Sequence, residues 1–339
     1  MLEFSFKLFL LETDQIMNDP KLKLFGTDAQ RVNNHELQVI VSELRDLINN
    51  NFSVFTPVPS LEEKLDHGDI DILVAPDLNI QQLLTQKLGN KLVKFSKNDT
   101  VNSFLFHSEK IQKLVHIDLI TSKTPQELET KKYYYALNDF SALIGVLSKK
   151  LNFKYGTEGF FKRFQDKKGN WHDILITNNL LQGLELLGLD ASKYSKIKNY
   201  NDIVNFLLTS PLLDSKFFRQ DMLLARDRVS ISRRPNLSKM IELVRNSVGP
   251  AKIKDEDYFF KKLMPNQYQK VQQEMQKINE KTYEISNKYN GSWLISTFGL
   301  KPGPELGNIL KAISNHFKDN LQNASEQDVI DFVNTLGNK

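Results

Sequence analysis

The stretch His67-Gly68-Asp69-Ile70-Asp71-Ile72-Leu73-Val74 constrains this chain more than any other. It reads as a core strand that nevertheless carries two carboxylates two residues apart. Alternate side chains of a strand share a face, so Asp69 and Asp71 project together while Ile70 and Ile72 turn to a core. Like charges at that spacing repel unless neutralised, and a hard divalent cation with oxygen ligands neutralises them directly. Gly68 allows a tight turn before the strand and leaves room for a phosphate over the pair.

A third carboxylate stands in Leu114-Val115-His116-Ile117-Asp118-Leu119-Ile120. Here Val115, Ile117 and Leu119 share one face, and Asp118 lies on the other with His116. An unpaired charge in so apolar a strand is costly, and a metal site shared with Asp69 and Asp71 answers that cost. Three carboxylates on adjacent strands can bridge two Mg²⁺ or Mn²⁺ ions, one activating a 3′-hydroxyl and one holding a triphosphate. Phosphoryl transfer then proceeds mainly by positioning and charge neutralisation.

Periodicity places these segments in an α+β chain. Apolar residues recur at helical spacing over residues 34–50, with Asn49-Asn50-Asn51 ending the pattern. A β-like stretch covers residues 52–55, and Pro57 and Pro59 mark a turn. A strand over 70–75 and a short helix over 80–88 follow. Between Lys91 and Thr121 period-two segments predict antiparallel sheet, and beyond residue 130 helical spacing dominates. Tyr268, Val271, Met275, Ile278, Thr282, Ile285 and Tyr289 form an apolar seam along a helix starting near Pro265. Two further helices follow, the last opened by Ser325 with Asp328 as a capping pair.

Gly68-Asp69-Ile70-Asp71 with the distant Asp118 resembles the DNA polymerase beta-like nucleotidyltransferase superfamily. The resemblance implies a mixed or antiparallel sheet with helices, followed by an all-helical C-terminal region. It also implies that Asp69, Asp71 and Asp118 hold two metal ions. Ser60 stands at the family's phosphate-binding serine and Lys64 at a basic contact, with Pro59 in place of the usual glycine. Tyr133-Tyr134-Tyr135-Ala136-Leu137-Asn138-Asp139-Phe140 resembles the family's path from the sheet to the helices covering the nucleotide. That likeness puts Tyr134 and Tyr135 near the sugar and Asp139 near the base, with Leu137 where the family has glycine. Residues 289–295 and 299–310, glycine- and proline-rich before a helix, resemble the C-terminal helical region of bacterial tRNA nucleotidyltransferases and poly(A) polymerases.

These likenesses divide the chain into a catalytic domain over 1–185 (sheet about 52–125, nucleotide-covering helices about 135–185), a helical middle over 186–250, and a helical nucleic-acid-binding region over 251–339. The implied reaction moves NMP from an NTP such as ATP to the 3′-hydroxyl of a nucleic acid, an RNA or tRNA end in preference to DNA, releasing pyrophosphate. A family X-like DNA polymerase, NMP transfer to a protein or small molecule, and a non-enzymatic nucleic-acid-binding role are the alternatives. Net charge is only +4, so any polyanion contact has to come from clusters such as Lys149, Lys150, Arg226, Arg228, Arg233 and Arg234, with Lys301 in the tail.

Zero cysteines exclude disulfides and thiolate chemistry. The apolar run Phe4-Ser5-Phe6-Lys7-Leu8-Phe9-Leu10-Leu11 lacks the marks of a signal peptide, and no stretch reaches the roughly 20 apolar residues of a spanning helix. A cytoplasmic protein is the expectation. No Gly-x-x-x-x-Gly-Lys-Ser/Thr loop occurs, and the histidines lack zinc-site spacing.

Overall fold

The strand alternation seen in the sequence is realised in a five-stranded mixed sheet. The structure is a computed structural model that describes residues 24–26, 28–76, 79–317 and 325–337, without the side chains of 281–287. The run at residues 4–11 and the side chains of Thr282 and Ile285 of the seam lie outside what is described. The strands are β1 (Val32–Asn33), β2 (Val54–Pro57), β3 (Asp66–His67), β4 (Ile70–Ala75), β5 (Leu92–Asn98), β6 (Val101–Ser108) and β7 (Lys113–Thr121). The main sheet has the order β2-β4-β7-β6-β5, and β1 pairs with β3 in a separate two-stranded ribbon. β4 and β7 run parallel, while the other pairs of the main sheet are antiparallel.

The β-like stretch expected at 52–55 falls two residues later, and Pro57 closes it. That position tolerates proline because β2 is an edge strand, with no partner on its outer side for a missing N–H.

One face of this sheet makes the core. Ile70, Ile72, Val74, Phe104, Phe106, Ile117 and Leu119 pack against Ile40, Val41, Leu44 and Ile48 of α1 (Asn34–Ile48) and Ile80, Leu84 and Leu88 of α2 (Ile80–Leu88). Asn33 opens α1 with a reciprocal capping box: its side chain accepts from Glu36 N at 2.9 Å and Glu36 accepts from Asn33 N at 3.0 Å. The opposite face carries Asp71 and Asp118, beside α3 (Pro125–Tyr135), which packs on β4. α4 (Phe140–Lys150) follows.

The helices expected over about 135–185 are interrupted. β8 (Phe153–Gly156), β9 (Gly159–Gln165) and β10 (Trp171–Thr177) form a second sheet of order β10-β9-β8. Two turns, at 156–159 and 166–169, break the helical spacing, and Ile174 and Ile176 alternate as buried residues with exposed Asp173 and Leu175. α5 (Leu180–Leu186) then brings Gly183 against Phe160: a Cβ there would lie 2.7 Å from the ring's Cγ and 2.8 Å from its Cβ. Gly183→Ala is therefore expected to destabilise the protein by about 1–3 kcal/mol through overpacking, read as a lower urea midpoint.

The chain divides into two compact units. One takes in the described residues up to Lys162 with Leu175–Met264, and the other Arg163–Ile174 with the described residues from Pro265 onward. The first unit also holds α6 (Tyr200–Leu207), α7 (Ala225–Ser232), α8 (Pro235–Ser247) and α9 (Tyr258–Leu263).

The second unit is built on α10 (Pro265–Lys288), α11 (Gly291–Phe298), α12 (Pro304–His316) and α13 (Glu326–Gly337). Its core joins Tyr289, Leu294, Ile313, Phe317, Val329 and Val333. Gly299, at φ +68°, closes α11 in the left-handed conformation that glycine adopts without cost, and Pro304 opens α12. Ser325 and Asp328 cap α13 reciprocally at 2.7 and 3.2 Å. Among the described residues no helix is long and apolar enough to cross a membrane.

Candidate active site

The pairing of β4 with β7 sets Asp71 directly opposite Asp118, which puts their Cα atoms about 4.8 Å apart. Because Ile70, Ile72, Ile117 and Leu119 are all turned into the core, both carboxylates emerge on the other face. Asp69, one residue before the strand, shares their parity. Ser103 of β6 stands opposite Asp118 on its far side, so the acidic row ends in a small polar residue.

Charge in this row is poorly balanced. Burial, then the negative charges of Asp69 and Asp118, push the Asp71 carboxyl up to about 7, against the pull of Lys64 and His116. Asp118 Oδ1 is engaged by His116 Nε2 at 2.9 Å, as their shared face implies. Burial works to lower the His116 imidazole, and the Asp118 bond with the charges of Asp118, Asp69 and Asp71 outweighs it, so the group sits above the ordinary histidine value. The edge of Phe25 meets the imidazole at 4.8 Å.

Among the described residues no three His, Cys, Asp or Glu side chains converge as a metal site. The donor set still suits a hard divalent cation. It is made of carboxylate oxygens on neighbouring strands, and their mutual repulsion adds to the burial that raises Asp71.

The Asp71 shift has a measurable consequence in the metal-free protein. Its folded value lies above the ordinary carboxylate value of about 3.9, so between about pH 4 and 7 the folded chain holds a proton that the unfolded chain has released. Stability attributable to this group therefore falls as pH rises through that window. Asp71→Asn is expected to abolish that fall and raise the urea midpoint at pH 8 relative to the parent, with little difference at pH 4. An unchanged pH profile would contradict the shift.

The chain bends at Gly68 and Asp69 just before β4, as expected, but without needing glycine's backbone freedom. Its φ is not in the left-handed range, and the space above its Cα is filled by Arg31, whose Nη1 would lie 3.0 Å from an added Cβ. Arg31 in turn pairs with Asp66. His67 beside it is buried and bonds Asn34 Oδ1 through Nε2 at 2.7 Å.

Asp69 and Asp71 look into a cleft of ≈ 960 Å³ within the first unit. Ser60, Lys64, Tyr134, Tyr135, Asp139, Lys149 and Arg234 also line it. Among the described residues Lys64 Nζ has no carboxylate within ion-pair distance, whereas Lys149 is held by Asp227 at 2.6 Å and Arg234 reaches Asp139 at 3.4 Å. Tyr134 stacks on Tyr155 at 5.5 Å and meets Tyr135 edge-on at 5.2 Å. Burial, then Tyr134 and the acids, push the Tyr135 phenol up to about 12. Burial raises the Asp139 carboxyl, opposed by Arg234 and Lys64.

Most of the other candidate basic residues lie on or beside α7. Lys150 bonds the carbonyl of Met222, and Arg228 bonds those of Leu223 at 2.7 Å and Gln220 at 3.3 Å. Arg226 and Arg233 are exposed on or beside α7, and Lys301 is exposed in the second unit. Sequence reasoning missed Asn138, which also lines the cleft.

The fold is thus α+β, with a mixed sheet that presents Asp69 and Asp71 to a polar cleft, Asp118 standing beside Asp71 outside its lining, and a helical C-terminal part. No family model and no curated protein matches the chain in sequence. Among solved structures, polymerase beta of Leishmania infantum, determined as a ternary P/T complex, is 13% identical, covering 44% of this chain and 69% of that one at a TM-score of 0.32. An overlap that low carries no argument about activity.

Proposed function

We propose that the chain is a divalent-metal-dependent nucleotidyltransferase that moves NMP from an NTP to the 3′-hydroxyl of a nucleic acid. The observation that carries this is the direct Asp71–Asp118 register on parallel neighbours, with Asp69 on the same face beside a cleft roomy enough for a nucleotide. Asp69, Asp71 and Asp118 are the metal ligands. When bound, Mg²⁺ or Mn²⁺ supplies neutralisation of triphosphate charge and acidifies the acceptor hydroxyl.

The chain's own residues do the rest. Ser60 and Lys64 hold the β- and γ-phosphates, Tyr134 and Tyr135 flank the sugar, and Asp139 lies toward the base. The acceptor oxygen bonds to the α-phosphorus as the bond to the bridging α–β oxygen breaks; pyrophosphate leaves, and the hydroxyl proton passes to Asp118. Arg226, Arg228, Arg233 and Arg234, with Lys149, Lys150 and Lys301, are the acceptor contacts. The preference for an RNA or tRNA end rests on the likeness of residues 289–310 to tRNA nucleotidyltransferases.

Incubation with each labelled NTP or dNTP, Mg²⁺ or Mn²⁺, and tRNA, unstructured RNA or primed DNA tests this. Lengthening of an RNA 3′ end by an NTP is expected. Label that joins no nucleic acid under any condition overturns it.

A further inference from the structure

The loop that carries Ser60 lacks the glycine that would let it fold freely around a phosphate, since Pro59 precedes the serine. A second segment supplies the missing order. Leu137 and Asn138 are consecutive residues at φ 60° and 57°, a conformation that asparagine tolerates and leucine does not readily adopt. Two hydrogen bonds tie them to the loop. Leu137 N donates to Pro59 O at 2.9 Å, and Leu61 N donates to Asn138 Oδ1 at 2.9 Å. Ser60 sits between the two tethered residues, exposed to the cleft. Leu61 and Leu137 are buried at 2% and 8% exposure, so the clamp is also anchored by packing.

We infer that Asn138 is a positioning residue that fixes the Pro59-Ser60-Leu61 loop for the triphosphate of the incoming nucleotide; this rests on the nucleotidyl-transfer reading. The left-handed pair is strained for leucine, and the bonds it places on either side of Ser60 are what hold it there. An ordered loop lowers the entropic cost of binding phosphate. Loss of the clamp therefore weakens nucleotide binding, while the chemistry at the carboxylates is left alone.

Asn138→Gly separates the parts, because glycine keeps the left-handed turn without strain and removes only the acceptor. Expected are a rise of roughly tenfold in KM for the NTP with kcat within about twofold, and faster hydrogen exchange at the Leu61 amide. An unchanged KM, or a fall in kcat alone, in a protein that transfers nucleotide overturns the inference and leaves the activity standing. A parent protein that transfers nothing, with its Leu61 amide protected and the protection lost in Asn138→Gly, shows instead that the transferase reading has failed and takes the triphosphate role with it.

Discussion

Asp71→Asn is expected to lower nucleotidyl transfer by roughly 10³-fold, the scale on which removing one electrostatic stabiliser of a transition state acts. The replacement keeps the shape of the side chain and removes the charge that a cation needs. Its backbone neighbours stay in place, because Ile70 and Ile72 on either side are held in the core. The variant should therefore fold, and at pH 8 it should be more stable than the parent, since Asp71 is the carboxyl that burial, Asp69 and Asp118 oppose most strongly. Loss of activity with a gain in stability separates a functional carboxylate from a structural one. Steady-state kinetics on the purified variant, beside its urea midpoint, checks both.

Phe104→Ala is expected to cost about 3–5 kcal/mol, as truncation of a fully buried phenylalanine does. Phe104 is fully buried within the core under the sheet and stands opposite Ile117 on β7 and Phe95 on β5. The cavity would open directly beneath the strand that carries Asp118. A far-UV circular dichroism urea curve measures the loss, and a variant as stable as the parent would mean that the core is not organised around this ring.

What the sequence made legible follows from local rules. Alternation placed the strand at 70–75 and put His116 and Asp118 on one face of theirs, though their 2.9 Å contact was not expected. The capping pair Ser325 and Asp328 was readable because both partners lie within one helical turn. The second sheet was not, because the aromatics Phe160, Phe161 and Phe164 are buried on both sides of β9 and hide its period of two.

Contacts between distant residues were invisible for a plainer reason. Arg31 fills the space over Gly68, Lys149 is held by Asp227, and Asn138 reaches Leu61 across 77 positions. No local pattern announces such partners. Leu137 is harder still, since leucine at positive φ runs against its own preference and is kept there by a bond to Pro59.

Equilibrium binding of Mn²⁺ followed by electron paramagnetic resonance, with a non-hydrolysable triphosphate analogue present, tests most directly whether the acidic row is a metal centre. Two bound ions per chain are expected in the parent, with binding lost in Asp71→Asn. A parent that binds no manganese, or an Asp71→Asn variant that binds it as the parent does, would contradict the assignment.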